Sequence, residues 1–134
     1  MKPAKKILMI DDDSNLRGLA RAYFKKEEFV FSEAASGPLG LESARLQKPD
    51  IIIIDMMMQE MSGIEVIKKL QKEEETKRIP VIVLTGFNYS ARQISTIEKD
   101  ENVEVVVKKP FVFDELRAII DSILVRSARS EKAP

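Results

Sequence analysis

A doubly wound α/β fold around a parallel sheet is what this sequence predicts, and three observations predict it. Five short apolar runs recur along the 134 residues. Amphipathic helical patterns separate them, and the polar residues with chemistry in them fall at the carboxyl ends of the runs. Repeated strand and helix alternation of this kind is accommodated by right-handed crossovers, with ligands beyond the carboxyl edge of the sheet.

The first run, KILMI (6–10), is continuous in apolar residues, as in a strand covered on both faces. The helix after it is read from Leu16, Leu19, Ala20, Tyr23 and Phe24, which share one face. Ser14 is its expected cap, with Asp13 and Asn15 in the loop and first turn. FVFSEA (29–34) is more polar and suits an edge strand, and Pro38 suits the first turn of the second helix. DIIIID (50–55) is the third strand, after which Ser62 and Glu65 form a capping box for the third helix. KEEETKR (72–78) reads as a solvated loop and PVIVLT (80–85) as the fourth strand. Ser90 with Gln93 offers another capping box, but the helix it opens has a thin stripe of Ala91, Ile94 and Ile97. That helix should be the most loosely packed and the most mobile. VEVVVK (103–108) is the fifth strand, and Leu116, Ile119, Ile120, Ile123 and Leu124 mark the last helix. RSARSEKAP (126–134) has no apolar period and is expected to fray, giving one domain over 1–126 and a flexible tail over 127–134.

Composition narrows the function classes. Twenty-two basic and twenty-two acidic residues give no global field toward nucleic acid or an anionic membrane. No cysteine and no histidine are present, which removes disulfides, thiolate metal sites, imidazole ligands and histidine general-base chemistry. The apolar run Ile7 to Ile10 is too short for a signal peptide or a membrane span, so a soluble cytoplasmic protein is expected. Neither a helix-turn-helix nor a basic aromatic surface suggests direct nucleic-acid binding.

The strand ends carry Asp11 and Asp12, Asp55, Thr85 and Lys109. Singly, each has an ordinary structural role; together they place three carboxylates, a hydroxyl and an ammonium on one rim. Two unit charges 4 Å apart repel by about 4 kcal/mol at an effective dielectric of 20, so the carboxylates need a proton or a bound cation. All-oxygen ligands select a hard ion, Mg²⁺ or Mn²⁺. Asp11 and Asp12 thus read as half of a divalent-cation site that Asp55 completes. A carboxylate beside such an ion, with Lys109 nearby, is equipped to accept a phosphoryl group, and Asp55 would be the nucleophile.

The segments ILMIDDDSNLR, IIIIDMMMQEMSG, VIVLTG and VVVKKPF, spanning Lys5 to about Arg126, together resemble the receiver domain of two-component response regulators, of the chemotaxis-regulator type. The resemblance implies a flavodoxin-like, five-stranded parallel sheet of order 2-1-3-4-5 with five helices. It implies Asp55 as the phosphoacceptor for a histidine kinase or phosphotransfer protein. By the same resemblance Asp12 ligates Mg²⁺ directly and Asp11 through water, and the backbone carbonyl of Met57 adds a ligand. Thr85 would hydrogen-bond the phosphoryl group, Lys109 would pair with one of its oxygens, and the Lys109–Pro110 bond would be cis. The output would be a protein-binding surface on the fourth helix, fifth strand and fifth helix.

Several residues depart from that pattern. Gln59 stands where proline is usual, and Val106 where many members carry the Tyr or Phe of an aromatic switch. By the resemblance Met57 and Phe87 flank the site; both are bulky and apolar, so either they offer no group to orient water, which implies slow autodephosphorylation, or they merely fill a hydrophobic rim. Met56, Met57, Met58 and Met61 read as an adaptable apolar loop rather than a soft-metal site. Two other functions compete. Asp11-x-Asp13 also suits a small Mg²⁺-dependent phosphatase of the haloacid dehalogenase type, with Asp11 as nucleophile and Asp13 as acid/base. A receiver-like module that binds partners without accepting phosphate is the other.

Overall fold

Five strands and five helices alternate along the chain in the order β1 (Lys6–Ile10), α1 (Ser14–Lys26), β2 (Val30–Ala34), α2 (Gly37–Gln47), β3 (Ile51–Asp55), α3 (Gly63–Lys72), β4 (Val81–Thr85), α4 (Ala91–Glu98), β5 (Val103–Lys108) and α5 (Phe113–Lys132). The computed structural model describes residues 3–86 and 89–132. All strand pairs are parallel, and the sheet order is β2-β1-β3-β4-β5. The more polar second run is an edge strand, because burying both its faces would strand Ser32 and Glu33 away from water.

Strand periodicity sorts the core into two layers. Leu8, Ile10, Ile52, Ile54, Val81 and Val83 face Leu41 and Ala44 of α2, Val66, Ile67 and Leu70 of α3, and Ile97 of α4. Their alternates Ile7, Met9, Ile51, Ile53, Ile82 and Leu84 face Ala20 and Phe24 of α1 and Leu116, Ile120 and Ile123 of α5. Each such aliphatic side chain contributes roughly 1.5–3 kcal/mol when fully buried. The three central strands therefore anchor the sheet and hold their carboxyl ends in a fixed row. Among the described residues, Ile97 is the one buried side chain of α4, in keeping with its thin stripe.

Four local expectations are corrected. Asp13, not Ser14, caps α1: its extended backbone precedes the helix, and its carboxylate accepts the N–H groups of Asn15 and Leu16. A carboxylate also meets the positive end of the helix, an advantage a serine lacks. Leu19 lies on the apolar spacing of α1 yet is 62% exposed, because the stripe narrows to Ala20 and Phe24 at the contact. Glu65 supplies its N–H to Ser62, but its carboxylate accepts from the Ser62 hydroxyl rather than the backbone, so only half the box forms. Finally, α5 stays helical through Lys132, into the segment read as a tail. Ala128 is a strong helix former, and Ser127 and Ala128 line a cleft with Lys5, Pro49 and Pro80. The box at Ser90 and Gln93 is complete. Among the described residues, no helix is long and apolar enough to cross a membrane.

Candidate functional site

At the carboxyl edge, Ile10 pairs with Ile54, Asp55 with Leu84, and Thr85 with Lys108. The residues one step beyond or at these pairs therefore meet in one pocket. Asp11 is tied back by its N–H to the Ala34 carbonyl, and the Lys109 N–H donates to the Thr85 carbonyl at 2.7 Å. The Lys109–Pro110 bond is cis. The Lys109 ammonium lies 3.3 Å from Asp55 Oδ1 and 3.7 Å from Asp11 Oδ2, so one cation is shared between two carboxylates. Asp11, Asp55 and Thr85 are buried, while Asp12 is exposed at the mouth. Among the described residues the Thr85 hydroxyl makes a long 3.4 Å contact with the Gly86 carbonyl, too weak to hold it from another acceptor.

The electrostatics are poorly balanced by protein alone. Burial pushes the Asp11 carboxyl up to about 6; the Asp13 N–H pulls it back, Asp55 and Asp12 raise it further, and Lys109 lowers it. Asp55 is also raised by burial, against the opposing charge and hydrogen bond of Lys109 and the N–H of Met57. Asp11 Oδ1 accepts the Asp13 N–H at 2.9 Å, whereas its Oδ2 is buried with no hydrogen-bond partner among the described residues, the Lys109 ammonium standing off at 3.7 Å. A buried carboxylate oxygen without a hydrogen bond costs about 1–3 kcal/mol or more, which an ammonium at 3.7 Å shared with Asp55 offsets only in part. One oxygen from each of Asp11, Asp12 and Asp55 lies within 4.8 Å of the others, near the roughly 4 Å between opposite ligands of a small octahedral cation. The donor set is all oxygen, so these residues fit a hard divalent cation.

Asp13, the second acid of the phosphatase reading, is turned away into α1 as its cap. Met56 is buried, Met58 and Met61 pack against the α2, α3 and α4 layer, and Met57 is 56% exposed. Met57, Met58, Gln59, Tyr89 and Asp12 line a groove of about 360 Å³ beside the pocket. Val106 packs into the same layer as Tyr89. Phe87 lies outside the described residues.

Three contributions escaped sequence reasoning. Gly63 abuts the end of β3: a Cβ there would sit 2.6 Å from the Asp55 carbonyl oxygen and 2.9 Å from Met56 Cα. Its N–H also donates to the Met56 carbonyl, so α3 is locked directly against the phosphoacceptor candidate. Tyr89 at the groove was unmarked by any motif. Arg17 reaches back from α1 to the Asp11 carbonyl, a contact that only the folded loop creates.

The chain is 30% identical to sporulation initiation phosphotransferase F of Bacillus subtilis over 90% of its own length and 94% of that protein. It is 29% identical to the transcriptional regulatory protein ResD of Bacillus subtilis over 93% of its length, where it spans only 50% of the relative. Among solved structures, the receiver domain of the Francisella response regulator 1452 superposes with a TM-score of 0.83 at 27% identity, covering 92% of this chain and 98% of that one. The signal receiver domain of a Vibrio parahaemolyticus protein, described as a Luxo repressor, shares the fold with a TM-score of 0.86 at 22% identity, over 96% and 95% of the two chains. The family profile described as "Response regulator receiver domain" matches residues 7–121. With a 2-1-3-4-5 sheet and an acidic pocket at its carboxyl edge, the chain belongs to the response regulator receiver domain family.

Proposed function

We propose that this receiver is a phosphorylation switch in which Asp55 accepts a phosphoryl group from a phosphohistidine on a histidine kinase or phosphotransfer protein. The observation that carries the reading is the meeting of three carboxylates and the Lys109 ammonium at one sheet edge. An Asp55 oxygen forms the new P–O bond as the P–N bond of the donor breaks, and the electron pair stays on the departing imidazole nitrogen. Lys109, already beside Asp55 Oδ1, pairs with a phosphoryl oxygen, and the loosely held Thr85 hydroxyl donates to another. Asp11, Asp12, Asp55 and the Met57 carbonyl would hold Mg²⁺, or Mn²⁺, which would neutralise phosphoryl oxygen charge.

In this reading the chain is a phosphoacceptor and not a turnover enzyme, and it works in the cytoplasm. Its output is a change in the surface formed by α4, β5 and α5, read by a target protein rather than by nucleic acid. The thin anchoring of α4 supports this, since an element held by one buried side chain has alternative positions close in energy.

The test is intact mass after incubation with acetyl phosphate and Mg²⁺. A gain of about 80 Da that requires the cation and disappears in Asp55→Asn supports the reading. An adduct that depends on Asp11 alone would move the phosphatase chemistry ahead. No adduct with acetyl phosphate or with a phosphorylated histidine donor would leave a phosphate-independent module.

A further inference from the structure

We propose that Arg17 is a positioning residue for the cation-binding pair Asp11 and Asp12, held in aim by Glu33 of the edge strand β2. The inference rests on the reading that the acidic pocket takes a divalent cation. The Asp11 N–H closes the ladder on the Ala34 carbonyl, but the Asp11 carbonyl lies beyond the end of β1, where no strand partner remains. A buried carbonyl without a donor is costly, and Arg17 Nη1 donates to it at 2.9 Å. The carbonyl of Asp11 shares a peptide plane with the N–H of Asp12. Fixing that oxygen therefore fixes the plane from which the Asp12 side chain leaves, and with it the separation of the two carboxylates.

The guanidinium is aimed from its far side. Arg17 Nε donates to Glu33 Oε1 at 3.0 Å, and Arg21 holds the same carboxylate through two N–H groups, at 2.5 and 2.8 Å. Were the cluster only a strut between α1 and β2, Arg21 would suffice, because it already grips Glu33 with both arms. Arg17 differs in what its other arm does and in its setting: its side chain is 16% exposed against 46% for Arg21. A planar fork can serve the carbonyl and the carboxylate together, whereas a lysine ammonium at the same site is a point donor on a flexible stem.

Mn²⁺ is the probe, titrated by electron paramagnetic resonance into the full chain and into Arg17→Gln, Arg17→Lys, Glu33→Gln and Arg21→Gln, each also unfolded in urea. Groups that orient metal ligands typically change affinity by 10-fold or more, so the Mn²⁺ dissociation constant should rise about 10-fold in Arg17→Gln and Arg17→Lys. It should rise less in Glu33→Gln and stay within twofold of wild type in Arg21→Gln, whatever stability that variant loses. Phosphorylation of the Arg17 variants by acetyl phosphate should return to the wild-type rate at saturating cation, since the defect lies in holding the ion. If Arg17→Gln does not fold, Arg17→Lys decides. Folded Arg17 variants with wild-type Mn²⁺ affinity, or an Arg21→Gln variant equally impaired, would overturn the inference alone. A wild-type chain that binds no Mn²⁺ would overturn the cation reading and this inference with it.

Discussion

Replacing Asp11 by Asn should stabilise the protein in cation-free buffer, and the size and pH dependence of the gain follow from the pocket. The Asp11 carboxyl stands at about 6 in the folded state against an ordinary 3.8, chiefly because it is buried. At 1.36 kcal/mol per pKa unit, holding it ionised costs at most about 3 kcal/mol of stability at pH 8, less what solvent at the open pocket screens. The sign is that of a raised acid. Between pH 4 and pH 6, roughly, the folded state binds more protons than the unfolded chain, so this contribution falls as pH rises and levels off above the folded value. An amide can still accept the Asp13 N–H but places a poor neighbour near Lys109, so part of the 3 kcal/mol is lost and a net gain of about 1–2 kcal/mol is expected. Urea unfolding of both proteins at pH 4, 6 and 8 measures it: little difference at pH 4 and the full gain at pH 8. Added Mg²⁺ should then stabilise the wild type by about 2.7 kcal/mol at one hundred times its dissociation constant, and the variant far less. A variant no more stable than wild type at pH 8, or equally favoured at pH 4, would refute the account of the pocket as a site of uncompensated charge.

Three further outcomes are expected. Gly63→Ala forces a Cβ against the Asp55 carbonyl and Met56 Cα, which are backbone atoms that cannot step aside, so it should cost about 2–3 kcal/mol in urea unfolding and slow phosphorylation. Met57→Asn puts a water-orienting amide beside the pocket and should shorten the lifetime of phosphorylated Asp55, followed by loss of the adduct mass over time; an unchanged lifetime would remove Met57 from the account of slow decay. Ser90→Ala removes the hydroxyl that accepts the Gln93 N–H and leaves only the backbone half of the α4 capping box, costing about 1 kcal/mol, and should speed amide exchange across residues 91–98 while leaving the central strands protected.

The fold was legible because the strands are so nearly unmixed in composition. Runs such as Ile51 to Ile54 can be satisfied only between two helix layers, and every strand was placed within one residue of its observed start. Helix ends were less legible for a local reason: three consecutive aspartates followed by Ser14 offer several caps in a row, and the choice of Asp13 depends on Asp11 Oδ1 first taking the Asp13 N–H. The end of α5 was misread because a missing apolar period reports only that a helix stops being amphipathic, not that it stops being a helix.

The site divides along the same line. Asp11, Asp12, Asp55, Thr85 and Lys109 were findable because topology alone carries strand ends to one rim, so position relative to an apolar run is sufficient information. Arg17 and Gly63 were not, because their importance lies in a side chain folding back on an earlier carbonyl and in a missing Cβ, neither of which has a sequence period. The distinction has a functional consequence. The rim residues can be read from any chain with this topology, whereas the contacts that fix their spacing depend on which side chains happen to stand behind them. Here one layer behind the pocket is an arginine fork anchored on an edge strand, and another is a glycine pressed on Asp55 itself. A chain that kept all five rim residues but lost either support would still carry the family's pattern while holding its carboxylates at the wrong distance.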